Sequence, residues 1–245
     1  QVLGVTVIHA DGTMTRGGGR VVKNVAGYNM PKLYIGSLGT LGIIVEVNLR
    51  LRPRPEARKS VVGLFPSLVA ACGAFAAFFR SELIPTAYAL LNSTAVKALA
   101  DPGIGASTDG RYCLLVGCEE NAAAVEREIS QISRILKENG SEPVQEFGGE
   151  AELQLWENVR HLPFGGSAAE RPEGETLMCR VSVPPSRVAE MMEAAEGTSA
   201  ARSLEAALSA YIGAGVVYCL LHPSRASALR DEDCMEAVSY THLTL

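Results

Sequence analysis

Seven glycines fall between Gly17 and Gly42, and they restrict what the front of this 245-residue chain can form. Glycine takes positive φ without strain and lets backbone approach a ligand with no Cβ in between. The run Gly17-Gly18-Gly19 leads into Arg20-Val21-Val22-Lys23-Asn24-Val25-Ala26-Gly27-Tyr28, and a short helical turn is expected near Pro31 to Tyr34. Then Gly36-Ser37-Leu38-Gly39-Thr40-Leu41-Gly42 empties into an apolar run over 43–51. Successive backbone N–H groups in such loops make concavities for anionic or carbonyl oxygens, and Ser37 and Thr40 add hydroxyls. The density of glycines exceeds what simple turns need. It suits a large polar ligand gripped partly by main chain.

In the apolar run, Val45, Val47, Leu49 and Leu51 alternate with Glu46, Asn48 and Arg50, which predicts a half-buried strand. Arg52-Pro53-Arg54-Pro55 stops it, because proline cannot donate to a ladder and restricts its predecessor. A domain boundary is expected near Glu56, giving one domain over 1–55 and a second over 56–237.

Upstream, residues 3–9 and 14–16 flank Ala10-Asp11-Gly12-Thr13 and read as a hairpin, with His9 a surface residue beside the turn. In the second domain, strands are expected over 60–65, 86–91, 111–117, 144–147, 176–183, 206–212 and 216–221. Helices are expected over 66–82, 93–100, 121–139, 150–160, 185–196 and 224–236, with a loop over 101–110. The 121–139 segment is the clearest: Val125, Ile129, Ile132 and Leu136 recur at helical spacing and Gly140 supplies a C-terminal cap. Glu119-Glu120 reads as the solvated start of that helix, Trp156 as a core residue, and His161 as complementing a helix C-terminus. Short, antiparallel-compatible connections make the second domain an α+β unit of ferredoxin-like type rather than a doubly wound sheet.

Hydrophobic residues are 47% of the chain and charged residues 20%, an ordinary globular balance. The formal net charge of −5, with no basic block, argues against a nucleic-acid partner. No run approaches the roughly 18–20 apolar residues of a membrane span. The six cysteines are scattered with no C-x-x-C, and read as reduced thiols of a cytoplasmic protein. The first residue, Gln1, opens inside a strand pattern, so a segment upstream is expected. Val238-Ser239-Tyr240-Thr241-His242-Leu243-Thr244-Leu245 reads as translated sequencing-adapter DNA and is set aside from the fold.

The stretch GGRVVKNVAGYNMPKLYIGSLGTLGIIVEVNLRLRPRP resembles the later part of the FAD-binding domain of vanillyl-alcohol-oxidase (PCMH-type) oxidoreductases, in their glycolate oxidase and D-lactate dehydrogenase branch. The glycines, Lys23, Asn24, Tyr28, Ser37, Thr40 and Glu46 match. Asn29 replaces the usual Asp, Leu38 the usual Glu and Val45 the usual Thr. More loosely, Trp156-Glu157-Asn158-Val159-Arg160, Leu162-Pro163-Phe164 and Arg180-Val181-Ser182-Val183-Pro184 resemble the smaller FAD-binding subunit of multi-subunit glycolate oxidases.

The resemblance implies the C-terminal part of a PCMH-type FAD-binding domain followed by an α+β cap. It implies that Lys23, Asn24, Gly27, Tyr28, Gly36, Ser37, Gly39, Thr40, Gly42, Ile43 and Ile44 line part of an FAD pocket. It implies a small 2-hydroxy acid as substrate, oxidised to the keto acid with hydride passing to the flavin. Partners would be a second flavoprotein subunit and an iron–sulfur subunit, through which the protein sits peripherally at the inner membrane. Related caps carry a metal-binding histidine pair and an H-x-G-x-G-N-x-H-like loop. Here the matching segment is Tyr211-Ile212-Gly213-Ala214-Gly215-Val216-Val217-Tyr218, with no His, Asp or Glu at ligand spacing, so no metal ligand and no catalytic residue is assigned. That departure raises a rival reading, a non-catalytic FAD-binding or electron-transfer subunit. A third is a flavoenzyme for an aryl alcohol or sugar lactone.

Overall fold

The computed structural model describes residues 1–19, 28–99, 104, 110–142, 144–165 and 176–223. The chain forms two compact units, Gln1–Arg54 and Pro55–Leu245.

In the first unit, β1 (Val2–Ile8) is the centre of a three-stranded antiparallel sheet, flanked by β2 (Met14–Gly18) and β3 (Ile43–Leu49). The β1–β2 hairpin forms as the Asp-Gly signal predicts. Gly12 takes φ +82°, and the Asp11 carboxylate accepts hydrogen bonds from the Thr13 amide and hydroxyl. Helix α1 (Met30–Tyr34) packs Tyr34 onto Val5 and Val7. Only this thin core covers the sheet, so the alternation in β3 does not translate into burial. Val45, Val47 and Leu49 are 51%, 46% and 57% exposed, and the strand ends at Leu49 rather than Leu51. Among the described residues β3 is an edge strand, and none of those in its own unit packs across its apolar positions.

The second unit is built on a seven-stranded sheet in the order β7-β4-β6-β5-β9-β10-β8, with every neighbouring pair antiparallel. Its first four strands are β4 (Ala57–Phe65), β5 (Ala87–Leu91), β6 (Tyr112–Glu120) and β7 (Val144–Gly148). Their spatial order, fourth-first-third-second, is that of the ferredoxin-like split βαβ unit. The crossovers are α2 (Leu68–Phe78) and α4 (Ala122–Glu138). The remaining strands, β8 (Leu177–Ser182), β9 (Leu204–Tyr211) and β10 (Val216–Pro223), extend the sheet with α6 (Val188–Ala201) as their helix.

Both faces of this sheet are buried, and β6 shows how the sequence encodes it. Cys113 and Leu115 join one apolar cluster while Leu114 and Val116 join the other, as the period-2 alternation of a strand requires. The strand therefore reads as a continuous apolar run. Helices α2, α4 and α6 cover one face. The other is covered by α3 (Ser93–Ala98), α5 (Gly149–His161) and a 3₁₀ turn at Leu162–Phe164.

Helix α4 follows its sequence closely. Asn121 caps its start, accepting from the Ala124 amide at 2.9 Å. Val125, Ile129, Ile132 and Leu136 are buried. Gly140, at φ +85°, ends it, with the Gly140 and Ser141 amides bonding to the Lys137 and Leu136 carbonyls as in a Schellman cap.

Three sequence expectations are corrected. Helix α2 starts at Leu68 with Ser67 as its cap rather than at Pro66, because the Ser67 hydroxyl accepts from the Ala70 amide. Glu119 and Glu120 end strand β6 instead of opening a helix, since pairing with Arg58 and Ala57 of β4 carries the ladder that far. The segment expected as a helix over 185–196 is a 3₁₀ turn, Pro185–Arg187, and then α6, which runs on to Ala201. The helix expected over 224–236, most of the loop over 101–110, Cys234 and 238–245 lie outside the described residues. The five described cysteines are free thiols.

Candidate active site

Two places carry functional geometry, one in each unit. In the first, the turns between α1 and β3 are built as the glycines dictate. Gly36 and Gly39 adopt φ +83° and +80°, and Leu38, a non-glycine residue, is held at +52°. The amides of Ser37, Thr40 and Gly42 close these turns onto the carbonyls of Tyr34, Ser37 and Gly39, and the Thr40 hydroxyl also donates to the Ser37 carbonyl at 2.7 Å. The amides of Gly36, Leu38, Gly39 and Leu41 make no such bond among the described residues, in a segment that is largely exposed. Four amides that no described residue engages, on a glycine-permitted loop, fit a polar ligand with many acceptor atoms. Ile43 and Ile44 follow directly as the first pairs of β3 with Ile8 and Val7. Tyr28 is 94% exposed. Lys23, Asn24 and Gly27 lie outside the described residues.

The second place is a cleft of about 360 Å³ contained wholly in the second unit. Arg58 of β4, Thr86 and Ala87 at the head of β5, Gly117 and Glu119 of β6, and Tyr211 at the end of β9 line it from the sheet. Glu152, Leu153, Trp156, Glu157 and Arg160 line it from α5. Their spacing of one, three and four residues places all five on one face of that helix.

A buried chain of hydrogen bonds fixes the cleft's inner wall. Ser60 and Gly117 are register partners on β4 and β6. The Trp156 indole N–H donates to the Ser60 hydroxyl at 2.7 Å, and that hydroxyl donates to Glu152 at 3.1 Å. Gly117 makes room for the ring, since a Cβ there would meet the indole at 3.1 Å. Trp156 also packs against the apolar cluster beneath α5. It is thus half core, as its sequence context suggests, and half cleft wall.

Charges line the rim. Arg58 pairs with Glu119 at 3.3 Å and Arg160 pairs with Glu157, which also holds His161 at 2.8 Å. These are exposed pairs and contribute little to stability. Each leaves guanidinium donors free for a second acceptor, because the group carries five N–H bonds. Glu152 is different, being only 4% exposed. Burial raises its pKa, against the Ser60 hydrogen bond and the nearby Arg58 charge, which lower it. The Tyr211 phenol is also raised, by burial and by Tyr218.

Tyr211 and Tyr218 face each other on the β9–β10 hairpin, ring centroids 6.0 Å apart in an edge-on arrangement, with the Arg180 guanidinium over Tyr218. They stand where the sequence resemblance expects histidines, and they form an aromatic pair. Among the described residues no group of three His, Cys, Asp or Glu side chains comes together as a metal site. Sequence reasoning singled out Trp156 and the Tyr211 to Tyr218 segment but missed Arg58, Ser60, Gly117 and Glu152. Their partners lie tens of residues away, and no local pattern marks them.

The model for FAD linked oxidases, C-terminal domain, matches residues 54–243. Glycolate oxidase subunit GlcD of Bacillus subtilis (strain 168) is 29% identical over 238 residues, 97% of this chain and 49% of the relative. A mitochondrial D-lactate dehydrogenase [cytochrome] of Arabidopsis thaliana is 29% identical over 219 residues, 88% of this chain and 38% of the relative. Glycolate oxidase subunit GlcE of Escherichia coli (strain K12) is 45% identical over 60 residues, 24% of this chain and 17% of the relative. Among solved structures, p-cresol methylhydroxylase superposes with a TM-score of 0.66 at 12% identity, over 99% of this chain and 54% of that one, a likeness of fold. The chain spans about half the length of the first of these relatives.

Proposed function

The chain belongs to the FAD-linked oxidases through their C-terminal domain, and from that premise we infer that the whole protein oxidises a 2-hydroxy acid of the glycolate or D-lactate type to its 2-keto acid. The observation that carries this reading is the similarity to a glycolate oxidase subunit along 97% of the chain, both units included. FAD is the cofactor that the family brings, and when bound it supplies the acceptor for two electrons and a hydrogen from the substrate carbon.

The chain's own residues divide the remaining work. In this reading the amides of Gly36, Leu38, Gly39 and Leu41 grip the dinucleotide, assisted by Lys23, Asn24, Gly27, Tyr28, Ser37, Thr40, Gly42, Ile43 and Ile44. The cleft of the second unit receives the substrate. Arg58 and Arg160 supply charge-assisted donors for its carboxylate, and the Thr86 hydroxyl, whose oxygen accepts from the Glu119 amide at 3.1 Å, retains a proton to donate. The 1–55 segment acts as the cofactor domain and 56–237 as the substrate cap. A second flavoprotein subunit and an iron–sulfur subunit take the electrons onward, and through them the protein sits peripherally at the inner membrane. No helix among the described residues is long and apolar enough to cross a membrane.

The test is the visible spectrum of the whole flavoprotein under anaerobic titration with glycolate and D-lactate. Loss of the oxidised flavin band with either acid is the expected result. Flavin that stays oxidised with every hydroxy acid would instead support a non-catalytic FAD-binding or electron-transfer subunit. The tyrosine pair Tyr211 and Tyr218, standing where related caps carry histidines, favours that second reading.

A further inference from the structure

We propose that the cleft of the second unit selects an acid bearing an aromatic side group, such as a 3-aryl-2-hydroxypropionate, over the two-carbon glycolate. The proposal rests on the reading of this cleft as the substrate site and names the substrate class within it.

Size is the first argument. At about 360 Å³ the cleft falls within the roughly 300–1,000 Å³ of sites that enclose drug-sized ligands. A two-carbon acid would leave most of that space to water, and its carboxylate and one hydroxyl would have to provide the affinity.

The walls are the second argument. Trp156 and Tyr211 both line the space. The indole is held by a donor bond to Ser60 and by Gly117 beneath it, so its face is set before any ligand arrives. The phenol of Tyr211 is held edge-on by Tyr218. Two pre-positioned rings cost little ordering entropy on binding, and each aromatic contact adds about 0.5–1.5 kcal/mol beyond area burial. Leu153 adds an aliphatic surface from the same helix.

Polarity is the third. The cations Arg58 and Arg160 sit on the rim, each paired with a carboxylate that lines the same space, Glu119 and Glu157, and offer their remaining guanidinium N–H groups to an anion, while the innermost carboxyl, Glu152, is turned into a hydrogen-bond chain with Ser60. A ligand with an anionic head and an apolar ring matches that gradient. A small, wholly polar acid matches only the rim.

Trp156 is the only tryptophan in the chain, so its emission reports on the cleft directly and without flavin. Titration of the 245-residue chain with D-3-phenyllactate is expected to change that emission at a concentration at least tenfold below that needed with glycolate. Tyr211→Phe keeps the ring and should retain this difference, whereas Tyr211→Ala should weaken phenyllactate binding at least tenfold. Equal response to both acids, a preference for glycolate, or no response to either would overturn the proposal. So would a Tyr211→Ala chain, folded by circular dichroism, that binds phenyllactate as the parent does. Flavin reduction in the whole flavoprotein separates the two readings. Phenyllactate that binds the cleft but leaves the flavin oxidised removes the oxidation reading and keeps the aromatic site. Flavin reduced equally by glycolate and phenyllactate keeps the oxidation reading and removes the aromatic preference.

Discussion

The Trp156 indole nitrogen and the Ser60 hydroxyl, 96 residues apart in sequence, lie 2.7 Å from one another and join helix α5 to strand β4. Ser60 is fully buried and bonds on both sides, receiving from Trp156 and giving to Glu152. Removing a buried group that satisfies two others costs the desolvation of both, on the order of 1–3 kcal/mol each where no water reaches them. Ser60→Ala is therefore expected to lower unfolding free energy by about 2–3 kcal/mol in denaturant titration. The Trp156 emission maximum should shift as the ring loses its anchor. A variant as stable as the parent with unchanged emission would mean that the contact is not a real constraint on the indole.

The same chain sets a pH dependence. Burial raises the Glu152 carboxyl above the usual 4.5, so the folded protein holds this proton more tightly than the unfolded chain. The associated stability is fully present below about pH 4.5 and is lost as pH rises through the folded value. Glu152→Gln removes that loss while keeping an acceptor for Ser60. Variant and parent should unfold alike in the acid range, with the variant the more stable at neutral pH. Paired thermal melts across pH 4 to 8 read the divergence; a gap that closes toward neutrality would reverse the sign assigned to this group.

Asn92 joins the two halves of the large sheet. β5 and β9 share only two register pairs, Leu90 with Ala210 and Leu91 with Ser209. Asn92 reinforces this seam: its oxygen accepts from the Ala95 and Leu208 amides, both at 3.0 Å, and its nitrogen donates to the Ala206 carbonyl and to Glu196. Asn92→Ala should cost on the order of 3 kcal/mol, combining a lost N-cap with stranded buried partners. Asn92→Asp keeps the shape but sets a carboxylate against Glu196, so its loss should be larger at pH 7 than at pH 4. Urea unfolding at both pH values checks this, and an equal loss at the two would remove the electrostatic part of the account.

These examples mark what a sequence makes visible. Periodicity and caps are local, so helix α4, with its four apolar contacts and Gly140, is readable, as is the Asp11-Gly12 hairpin; the Asn121 cap emerges only from the structure. The ferredoxin-like character of the second unit followed from element order. The cleft did not, because Ser60, Gly117, Glu152 and Trp156 meet only through the β4–β6 register and the docking of α5. Alternation in β3 predicts the strand but not its exposure. A period of two reports which residues share a face, not whether another layer covers it.

Gly140 gives a plain check on the cap. At φ +85° with open space around it, the residue is chosen for backbone conformation alone. Gly140→Ala should cost about 1 kcal/mol, the penalty of holding an L-residue in the left-handed region. Gly140→Asn should cost less, since asparagine tolerates that conformation. Chemical denaturation of the two variants gives the order, and an alanine variant no weaker than asparagine would remove the conformational explanation.

Strand β3 leaves an apolar edge in the first unit. Ile43, Val45, Val47 and Leu49 are 68%, 51%, 46% and 57% exposed, and among the described residues β3 pairs only with β1. An exposed, apolar edge strand presents unpaired main-chain groups as well as greasy side chains, the combination that templates strand addition and aggregation. Charged residues on such an edge oppose pairing, because a second strand would bury them. Val45→Lys with Val47→Lys, two exposed apolar positions of the strand, should lower self-association of the chain at high concentration by several-fold, read by light scattering, with helix and sheet content unchanged. Equal scattering from parent and variant would show that the chain's self-association, if any, lies elsewhere than on β3.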